Sequence, residues 1–189
     1  MITNRQELNF YLESDRKALG IKYKRPRLFS DEIWKFQRSL RRLEYYTNCP
    51  LGVNFLRRLI EKYRFHQQSL KLGFSIPINV FGPGLAIVHY GSIVVSSGAK
   101  VGANCRIHEG VTIGATNGSS KAAIIGDNVF IGSGAKIIGE VNISSNVAIG
   151  ANAVVVNDIV CNNGCTVGGV PAKVISNNNS SSNIHILKD

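Results

Sequence analysis

Residues 125–154 divide into five consecutive hexads, IGDNVF, IGSGAK, IIGEVN, ISSNVA and IGANAV. Every hexad begins with isoleucine, and its fifth residue is valine or alanine. An α-helix would repeat about every 3.6 residues and a flat strand every two, so neither produces this period. A fixed internal period is typical of a repeat architecture.

The same period continues on both sides of these hexads. Thirteen positions taken six residues apart, from Val95 to Val167, contain eleven valine or isoleucine residues. The period predicts a triangular coil in which each hexad forms one short strand and one corner, with the aliphatic and small residues pointing inward. Glycine or asparagine supplies the positive φ that a corner needs, and stacked turns bury a continuous aliphatic column. The predicted fold is mainly β, a parallel β-helix preceded by a short α-helical segment.

Ser119 interrupts the series. Residues 115–123 around it are polar, rich in Gly and Ser, and lack large aliphatic side chains, which predicts a loop that leaves the coil. Such loops often carry substrate contacts, although a neutral insertion explains the same composition. Lys121 is the candidate substrate residue in this loop.

Charge divides the chain into two parts. Residues 1–72 contain 16 Lys and Arg against 7 Asp and Glu, whereas residues 73–189 contain 6 against 5. A basic segment joined to a near-neutral one favours separate roles for the two. We therefore predict three parts: a basic α-helical segment (1–73), the β-helix (74–175) and a flexible polar tail (176–189).

Helical patterns cover residues 5–20 and 31–47, and a third helix is predicted from Leu51 to Leu72. Ser30 or Asp31 is the expected cap of the second helix. The basic residues predict attraction to phosphate groups of a coenzyme, a nucleotide sugar, a lipid-linked diphosphate or an anionic membrane surface. A solvated helix face explains the same charge. Nucleic acid is not an expected partner, because no recognised binding motif accompanies the charge.

Other features limit the class of protein. No segment approaches the roughly 18–20 apolar residues of a membrane-spanning helix, and residues 1–7 lack a signal pattern, so we expect a cytoplasmic protein. The four cysteines form no CxxC pair and are predicted to be reduced.

His89 and His108 are the candidate catalytic residues. His89 lies six residues before Val95, so the period places it in an inward position. It is either a buried structural histidine or a general base, since a neutral imidazole suits proton removal near neutral pH. His108 should face outward, and its neighbour Glu109 should point to the opposite face. Tyr90 and Glu109 are the candidate substrate residues.

An acyl donor with an extended pantetheine chain needs a groove lined by small residues, and the repeat offers glycine and alanine on successive turns. Lysine side chains would pair with the donor's phosphates. The corners of the coil require the same small residues, so this prediction has a structural alternative. No metal is expected, because no closely spaced histidine pair is available for zinc. The candidate cofactor-binding residues are Gly114, Gly132, Gly134, Ala135, Lys136, Gly150, Ala151, Pro171 and Lys173.

The repeat, together with the segment GGVPAKVI at residues 168–175, resembles the hexapeptide acyltransferase superfamily. Within it, FGPGLAIVH at 81–89 and GSGAKIIG at 132–139 resemble serine O-acetyltransferases, and the likeness extends over about residues 74–175. The helical segment with WKFQR at 34–38 resembles the serine-acetyltransferase-like proteins of bacterial capsule and exopolysaccharide clusters.

The resemblance implies a left-handed coil, acetyl-CoA as co-substrate, and a homotrimer or dimer of trimers with active sites between adjacent β-helices. It also implies that His89 is the general base and that backbone amides stabilise the oxyanion. Two features of serine acetyltransferases are missing. The aspartate before the catalytic histidine is Val88 here, and Lys121-Ala122-Ala123 replaces an Arg-His pair that helps to hold the serine carboxylate.

Three functions stay open. The main expectation is O-acetylation of a sugar hydroxyl in surface polysaccharide biosynthesis, because the serine-holding groups are missing and the helical segment is basic. The second is O-acetylation of L-serine to O-acetyl-L-serine. The third is a non-catalytic trimeric scaffold.

Overall fold

We describe the chain from a computed structural model, which covers residues 1–49 and 54–184. Three helices come first: α1 (Arg5–Ala18), α2 (Glu32–Asn48) and α3 (Asn54–Leu72). The predicted start of the third helix at Leu51 lies outside the described residues. None of the described helices combines the length and hydrophobicity needed to cross a bilayer.

The starts of α1 and α2 are built differently. The side chain of Asn4 caps α1 by accepting a hydrogen bond from the Glu7 amide at 2.8 Å. Asp31 precedes α2 but has φ +64° and makes no side-chain cap. Its carboxylate instead accepts hydrogen bonds from the Tyr23 hydroxyl and the Arg27 amide. Asp31 therefore occupies the predicted cap position of α2, but its side chain does not cap the helix, because the segment before the helix takes up the carboxylate.

Short strands follow α3 and form three sheets. The strands are β1 (Phe74–Ser75), β2 (Ala86–Ile87), β3 (Ile93–Val95), β4 (Lys100–Val101), β5 (Arg106–Ile107), β6 (Thr112–Gly114), β7 (Ile124–Ile125), β8 (Phe130–Ile131), β9 (Lys136–Ile138), β10 (Asn142–Ile143), β11 (Ala148–Ile149), β12 (Val154–Val155), β13 (Thr166–Gly168) and β14 (Lys173–Ser176). The five-stranded sheet has the order β1-β3-β6-β9-β12, the three-stranded sheet β10-β7-β4, and the six-stranded sheet β14-β13-β11-β8-β5-β2. Every described pairing is parallel except that of β13 with β14, which turns back antiparallel.

The strand register confirms the predicted coil. Val95 pairs with Ile113, and Ile131 pairs with Ile149. In both pairs the partners are three hexads apart in the sequence, so three hexads close one turn. Ile107 pairs with Ile131, which is four hexads later, so this turn is longer by the length of one hexad. The extra length falls at residues 115–123, which confirms the loop predicted around Ser119.

The aliphatic positions of the repeat form the core. All thirteen are buried except Ser119, which is exposed, and Cys161, which is partly buried. Burial of one such side chain contributes about 1.5–3 kcal/mol, so the column dominates the stability of the coil. Phe36 and Leu40 of α2 and Leu72 of α3 pack into the same core, which joins the helices to the coil.

Asparagine supplies the positive φ at one corner, as predicted. Asn104, Asn128 and Asn146 have φ of 57°, 54° and 62°. Their amides form a ladder, with hydrogen bonds of 2.9 and 3.0 Å between successive turns. At the positions directly after the aliphatic residues, glycine is needed for a different reason. Gly102 has no positive φ, but a Cβ there would lie 2.7 Å from the carbonyl carbon of Gly126, so close stacking of turns requires glycine.

A buried ionic cluster attaches the helices to the coil. Arg41 is fully buried, and its guanidinium pairs with Asp15 at 2.9 Å and with Glu44 at 3.1 Å. It also donates hydrogen bonds to the carbonyls of Phe81 and Gly82. Arg41 is therefore unavailable to phosphate. The predicted attraction of the basic helical residues to phosphate groups does not hold for this arginine.

The C-terminal segment differs from expectation. The prediction is a flexible tail from residue 176, but Ser180 is buried and its amide donates to the Asn146 carbonyl at 3.0 Å.

Two of the cysteines also differ from expectation. Cys161 and Cys165 form a disulfide, so the prediction of reduced thiols is wrong for this pair. The free thiol of Cys105 is buried, and burial raises its pKa to about 12.

Candidate active site

One corner of the coil collects most of the predicted site. Residues 88–92, 108–111, 132–135 and 150–153 connect the six-stranded sheet to the five-stranded sheet on four successive turns. We call these residues the histidine corner. Backbone hydrogen bonds link its turns: Gly110 donates to Ser92, Gly134 to Glu109 and Asn152 to Ser133, at 2.7, 2.8 and 2.8 Å. The corner is therefore one continuous column along the coil.

His89 heads this column but is not inward. Ile87 fills the inward position and pairs with Ile107, and these partners are separated by two residues more than three hexads. Val95 follows Ile87 by eight residues, whereas its partner Ile113 follows Ile107 by six, so the chain between these inward positions is two residues longer in the first turn, which shifts the six-residue phase before Val95. His89 is exposed as a result, so the predicted inward placement is wrong and the buried structural alternative is excluded.

His108 lies against His89. The two rings meet edge to face with centroids 5.4 Å apart, and His108 also packs on Phe130 with centroids 5.1 Å apart. His108 is only partly exposed, and its Nε2 is buried without a hydrogen-bond partner in the described chain. Burial, followed by the charges of Arg106 and His89, lowers the pKa of His108. The neutral imidazole is therefore favoured.

Glu109 lies with both histidines. Ligand-type atoms of His89, His108 and Glu109 all lie within 4.8 Å of one another. The prediction that Glu109 faces away from His108 is wrong, because residues 108–110 form a turn in which strand alternation does not apply. The backbone amide of Glu109 and the Ser133 hydroxyl lower the pKa of its carboxyl group. A carboxylate therefore stands beside two imidazoles.

Gly91 makes room for this arrangement. It has φ +130°, and a Cβ there would lie 3.1 Å from Cβ of Glu109.

The side chains of His89, His108 and Glu109 are also of the kinds that bind metals, since Zn²⁺ accepts imidazoles and carboxylates as ligands. Among the described residues, His89, His108 and Glu109 are the group of three such side chains whose ligand atoms lie this close together. The sequence spacing of the histidines does not indicate this cluster, since the coil brings the three residues together.

Tyr90 faces a pocket between the histidine corner and α2. The pocket has a volume of about 330 Å³, and Trp34, Asp31 and Val88 also line it. Trp34 is buried, and its Nε1–H has no hydrogen-bond partner among the described residues. Neither Trp34 nor Asp31 was predicted as a site residue, because their helix pattern showed only an apolar stripe and a cap.

The predicted cofactor residues separate into three groups. Gly134, Gly150 and Ala151 lie at the histidine corner, and the Lys136 ammonium donates to the Gly110 carbonyl of the same column. Gly132 and Ala135 belong to the same corner but are buried, and a Cβ at Gly132 would lie 2.7 Å from the amide nitrogen of Ala151. Contact of these two residues with a donor stays a prediction. The remaining three lie elsewhere: Gly114 in β6, and exposed Pro171 and Lys173 at the turn into β14.

Lys121 is not at the histidine corner of its own chain. It belongs to the loop between β6 and β7, at the corner that joins the five-stranded and three-stranded sheets. Its ammonium pairs with Glu140 at 3.1 Å. Within one chain the structure therefore separates Lys121 from His89.

Known proteins that resemble this chain are serine acetyltransferases. The serine acetyltransferase of Synechococcus elongatus is 38% identical over 120 residues, which is 62% of this chain and 48% of that protein. A Brucella abortus serine acetyltransferase in complex with coenzyme A is 27% identical with a TM-score of 0.68, over 92% of this chain and 70% of that one. A Neisseria gonorrhoeae serine acetyltransferase in complex with serine is 28% identical with a TM-score of 0.64, over 89% and 69%.

The extent of these matches matters. The chain spans about half the length of the curated relatives it matches. No protein-family model matches it. The structural matches cover most of this chain, so the helices and the coil together have the fold of those proteins.

Proposed function

We propose that the chain is an acetyl-CoA-dependent O-acetyltransferase of the hexapeptide-repeat superfamily, with His89 as the general base. The cluster of His89, His108 and Glu109 at the head of the histidine corner carries this proposal. His89 is exposed and therefore accessible to an acceptor hydroxyl. The likeness to serine acetyltransferases supports the donor, since one of them is described with coenzyme A.

His89 would accept the proton of the acceptor hydroxyl as that oxygen attacks the acetyl carbonyl carbon. The new C–O bond would give a tetrahedral intermediate, which collapses as its C–S bond breaks. The departing thiolate of coenzyme A then takes the proton from the His89 imidazolium, which regenerates the neutral imidazole. Glu109 is close enough to stabilise the imidazolium during the transfer. Proton transfer by a positioned side chain contributes about 10²- to 10⁴-fold in rate.

His108 would act as a neutral neighbour. Its lowered pKa favours an uncharged ring, and its Nε2 lacks a partner in the described chain. A neutral imidazole both donates and accepts a hydrogen bond. We infer that His108 orients the acceptor or His89 rather than taking the proton itself.

The donor would extend along the histidine corner. Gly134, Gly150 and Ala151 have little or no side chain there, so an extended chain can approach the backbone closely. Lys136 lies beside the same column and Lys173 is exposed beyond it. Both are candidates for contact with the phosphates of coenzyme A.

L-serine is the first acceptor to test. The curated relatives are serine acetyltransferases, and one solved relative is described in complex with serine. These comparisons favour serine over the sugar hydroxyl that the sequence pattern favoured.

A sugar hydroxyl is the second candidate, and the pocket beside His89 favours it. Trp34 and Tyr90 present aromatic groups around a volume of about 330 Å³, and the polar groups beside them are Ser30 and the ion pair of Arg27 with Asp31. Aromatic faces with a few polar groups are typical of small-molecule sites. Val88 in the same wall offers no charge to the serine ammonium.

We propose a homotrimer, or a dimer of such trimers, as the working assembly. Lys121 lies at a different corner from His89, so a neighbouring copy is needed to bring that loop to the site. Apolar side chains on α3 support association through the helices. The exposed ones are Phe55, Leu56, Leu59, Ile60 and Tyr63.

Thiol release from acetyl-CoA tests the proposal, with L-serine beside a panel of sugars and nucleotide sugars. Turnover of serine identifies a serine acetyltransferase with an unusual site. Turnover of a sugar alone assigns the pocket at Trp34 to the acceptor. Failure to release thiol with any acceptor and to bind coenzyme A would favour the non-catalytic scaffold.

A further inference from the structure

A second surface pocket lies between α2 and α3, away from the histidine corner. Its volume is about 450 Å³. Five cationic side chains line it against the single carboxylate of Glu61, a formal balance of +4. The cations are Arg25, Lys35, Arg38, Arg42 and Arg64.

Three of these cations already have partners. Glu61 pairs with Arg64 at 3.2 Å and with Arg42 at 3.7 Å. Ser39 donates a further hydrogen bond to the Glu61 carboxylate at 3.2 Å. Lys35 pairs with Glu32 at 3.1 Å. These contacts hold the wall of the pocket in place.

The other two cations have no ion pair within residues 1–49 and 54–184. Arg25 is exposed, whereas Arg38 is partly buried with its guanidinium 5.5 Å from the centre of the Trp34 ring. Burial and the neighbouring charge of Arg42 lower the pKa of Arg38. The Glu61 carboxylate acts in the opposite direction on Arg38, but one carboxylate does not balance five cations, and a bound anion would relieve the remaining repulsion.

Gln68 provides a separate observation in the same pocket. Its Oε1 is buried and has no hydrogen-bond partner in the described chain. Amide oxygen and nitrogen are interchangeable by rotation of the group, so Gln68 can present its Nε2 donor to an anion. A buried polar group without a partner is unfavourable, so a ligand that hydrogen-bonds to Gln68 would be stabilised at this position.

We propose that the pocket between α2 and α3 binds a phosphate or diphosphate group, with the guanidinium groups of Arg25 and Arg38 as its principal contacts. Guanidinium groups match phosphate oxygens in pairs of parallel hydrogen bonds. The phosphate belongs either to a soluble ligand or to a lipid headgroup. The site is independent of acetyl transfer, and its test does not use turnover.

Inorganic pyrophosphate is the first probe, measured by calorimetry on the full chain at low salt without coenzyme A, whose own phosphates would compete for the pocket. Comparison of variants inside and outside the pocket then separates binding here from binding at a donor site. The double variant Arg25→Gln/Arg38→Gln should bind at least about tenfold more weakly. The control Arg57→Gln/Lys62→Gln removes two charges from exposed positions on α3 outside the pocket and should bind within about twofold of the parent.

Vesicles distinguish the source of the phosphate. Binding to phosphatidylglycerol but not phosphatidylcholine vesicles, lost in Arg25→Gln/Arg38→Gln and displaced by pyrophosphate, assigns the pocket to a lipid headgroup. Pyrophosphate binding with no preference between the vesicles assigns it to a soluble ligand.

Two results would overturn the proposal. One is the absence of saturable pyrophosphate binding. The other is equal weakening by both double variants, which would indicate diffuse surface charge. Arg25 lies exposed outside the helices, so Arg25→Gln alone repeats the test if the Arg38 variant does not fold.

Discussion

The rings of His89 and His108 meet edge to face, with centroids 5.4 Å apart, on successive turns of the coil. The pairing of Ile87 with Ile107 places the two corners side by side. The two extra residues in the first corner then turn His89 outward, while His108 stays partly buried. His89 is therefore accessible to a ligand, whereas His108 is held in place by its contacts with His89 and Phe130.

Replacement of Glu109 by glutamine tests the carboxylate beside the histidines. The charge of Glu109 raises the pKa of His108 against the effects of burial, so Glu109→Gln should lower that pKa further. Turnover should fall at least about tenfold, with affinity for coenzyme A unchanged. NMR titration of His108 and steady-state kinetics measure both effects. Glu13→Gln, on α1, is the control, and equal losses in both variants would contradict a local role.

The lowered pKa of His108 also predicts a pH effect on stability. The unfolded chain binds a proton at His108 near pH 6.5, whereas the folded chain binds it only at lower pH. Its contribution is therefore present above about pH 6.5 and is lost as the pH falls through the folded pKa. Urea unfolding between pH 7.5 and pH 5 should show a smaller decline for His108→Gln than for the parent. The same substitution at exposed His66 is the control, and equal effects of the two substitutions would contradict a specific contribution of His108.

Gly102→Ala tests the close stacking of turns. The added Cβ would lie 2.7 Å from the carbonyl carbon of Gly126, so the backbone must shift. We expect a loss of about 1–3 kcal/mol in the free energy of unfolding. The control is Gly114→Ala, whose Cβ meets only side-chain atoms, the nearest at 3.4 Å. Thermal melts of equal midpoint for the two variants would show that this glycine is not required by packing.

Arg41→Ala tests the ionic cluster between the helices and the coil. It leaves the carboxylates of Asp15 and Glu44 buried without their cation, at a cost of about 3–5 kcal/mol. Arg42→Ala removes a partly exposed charge 3.7 Å from Glu61 and should cost about 0–1 kcal/mol. Denaturant unfolding compares the two variants. Similar losses would mean that burial of Arg41 does not matter.

The period of six was sufficient to predict the coil, its inward positions from Val95 onward and the loop around Ser119. Each of these depends on the turn length, which is three hexads, as the pairing of Ile131 with Ile149 shows. The position of His89 could not be predicted in this way. Two additional residues in one corner leave the composition of the hexads intact, and only the pairing of Ile87 with Ile107 shows the shift.

The other features that the sequence did not predict depend on packing between distant parts of the chain. Alanine and glycine suit both a ligand groove and close stacking, so the sequence did not distinguish buried Ala135 from exposed Ala151. Arg41 had the pattern of a solvated basic face, yet docking of α2 on the coil buries it. Helix patterns describe one face of one element and contain no information on what covers it.

Single-turnover thiol release from acetyl-CoA by His89→Ala and His108→Ala, beside calorimetric binding of coenzyme A, tests the role of His89 most directly. We expect His89→Ala to lose about 10²- to 10⁴-fold in rate and to bind coenzyme A as the parent does, with a smaller loss for His108→Ala. Full activity in His89→Ala, or a larger loss in His108→Ala, would contradict the assignment of His89 as the general base.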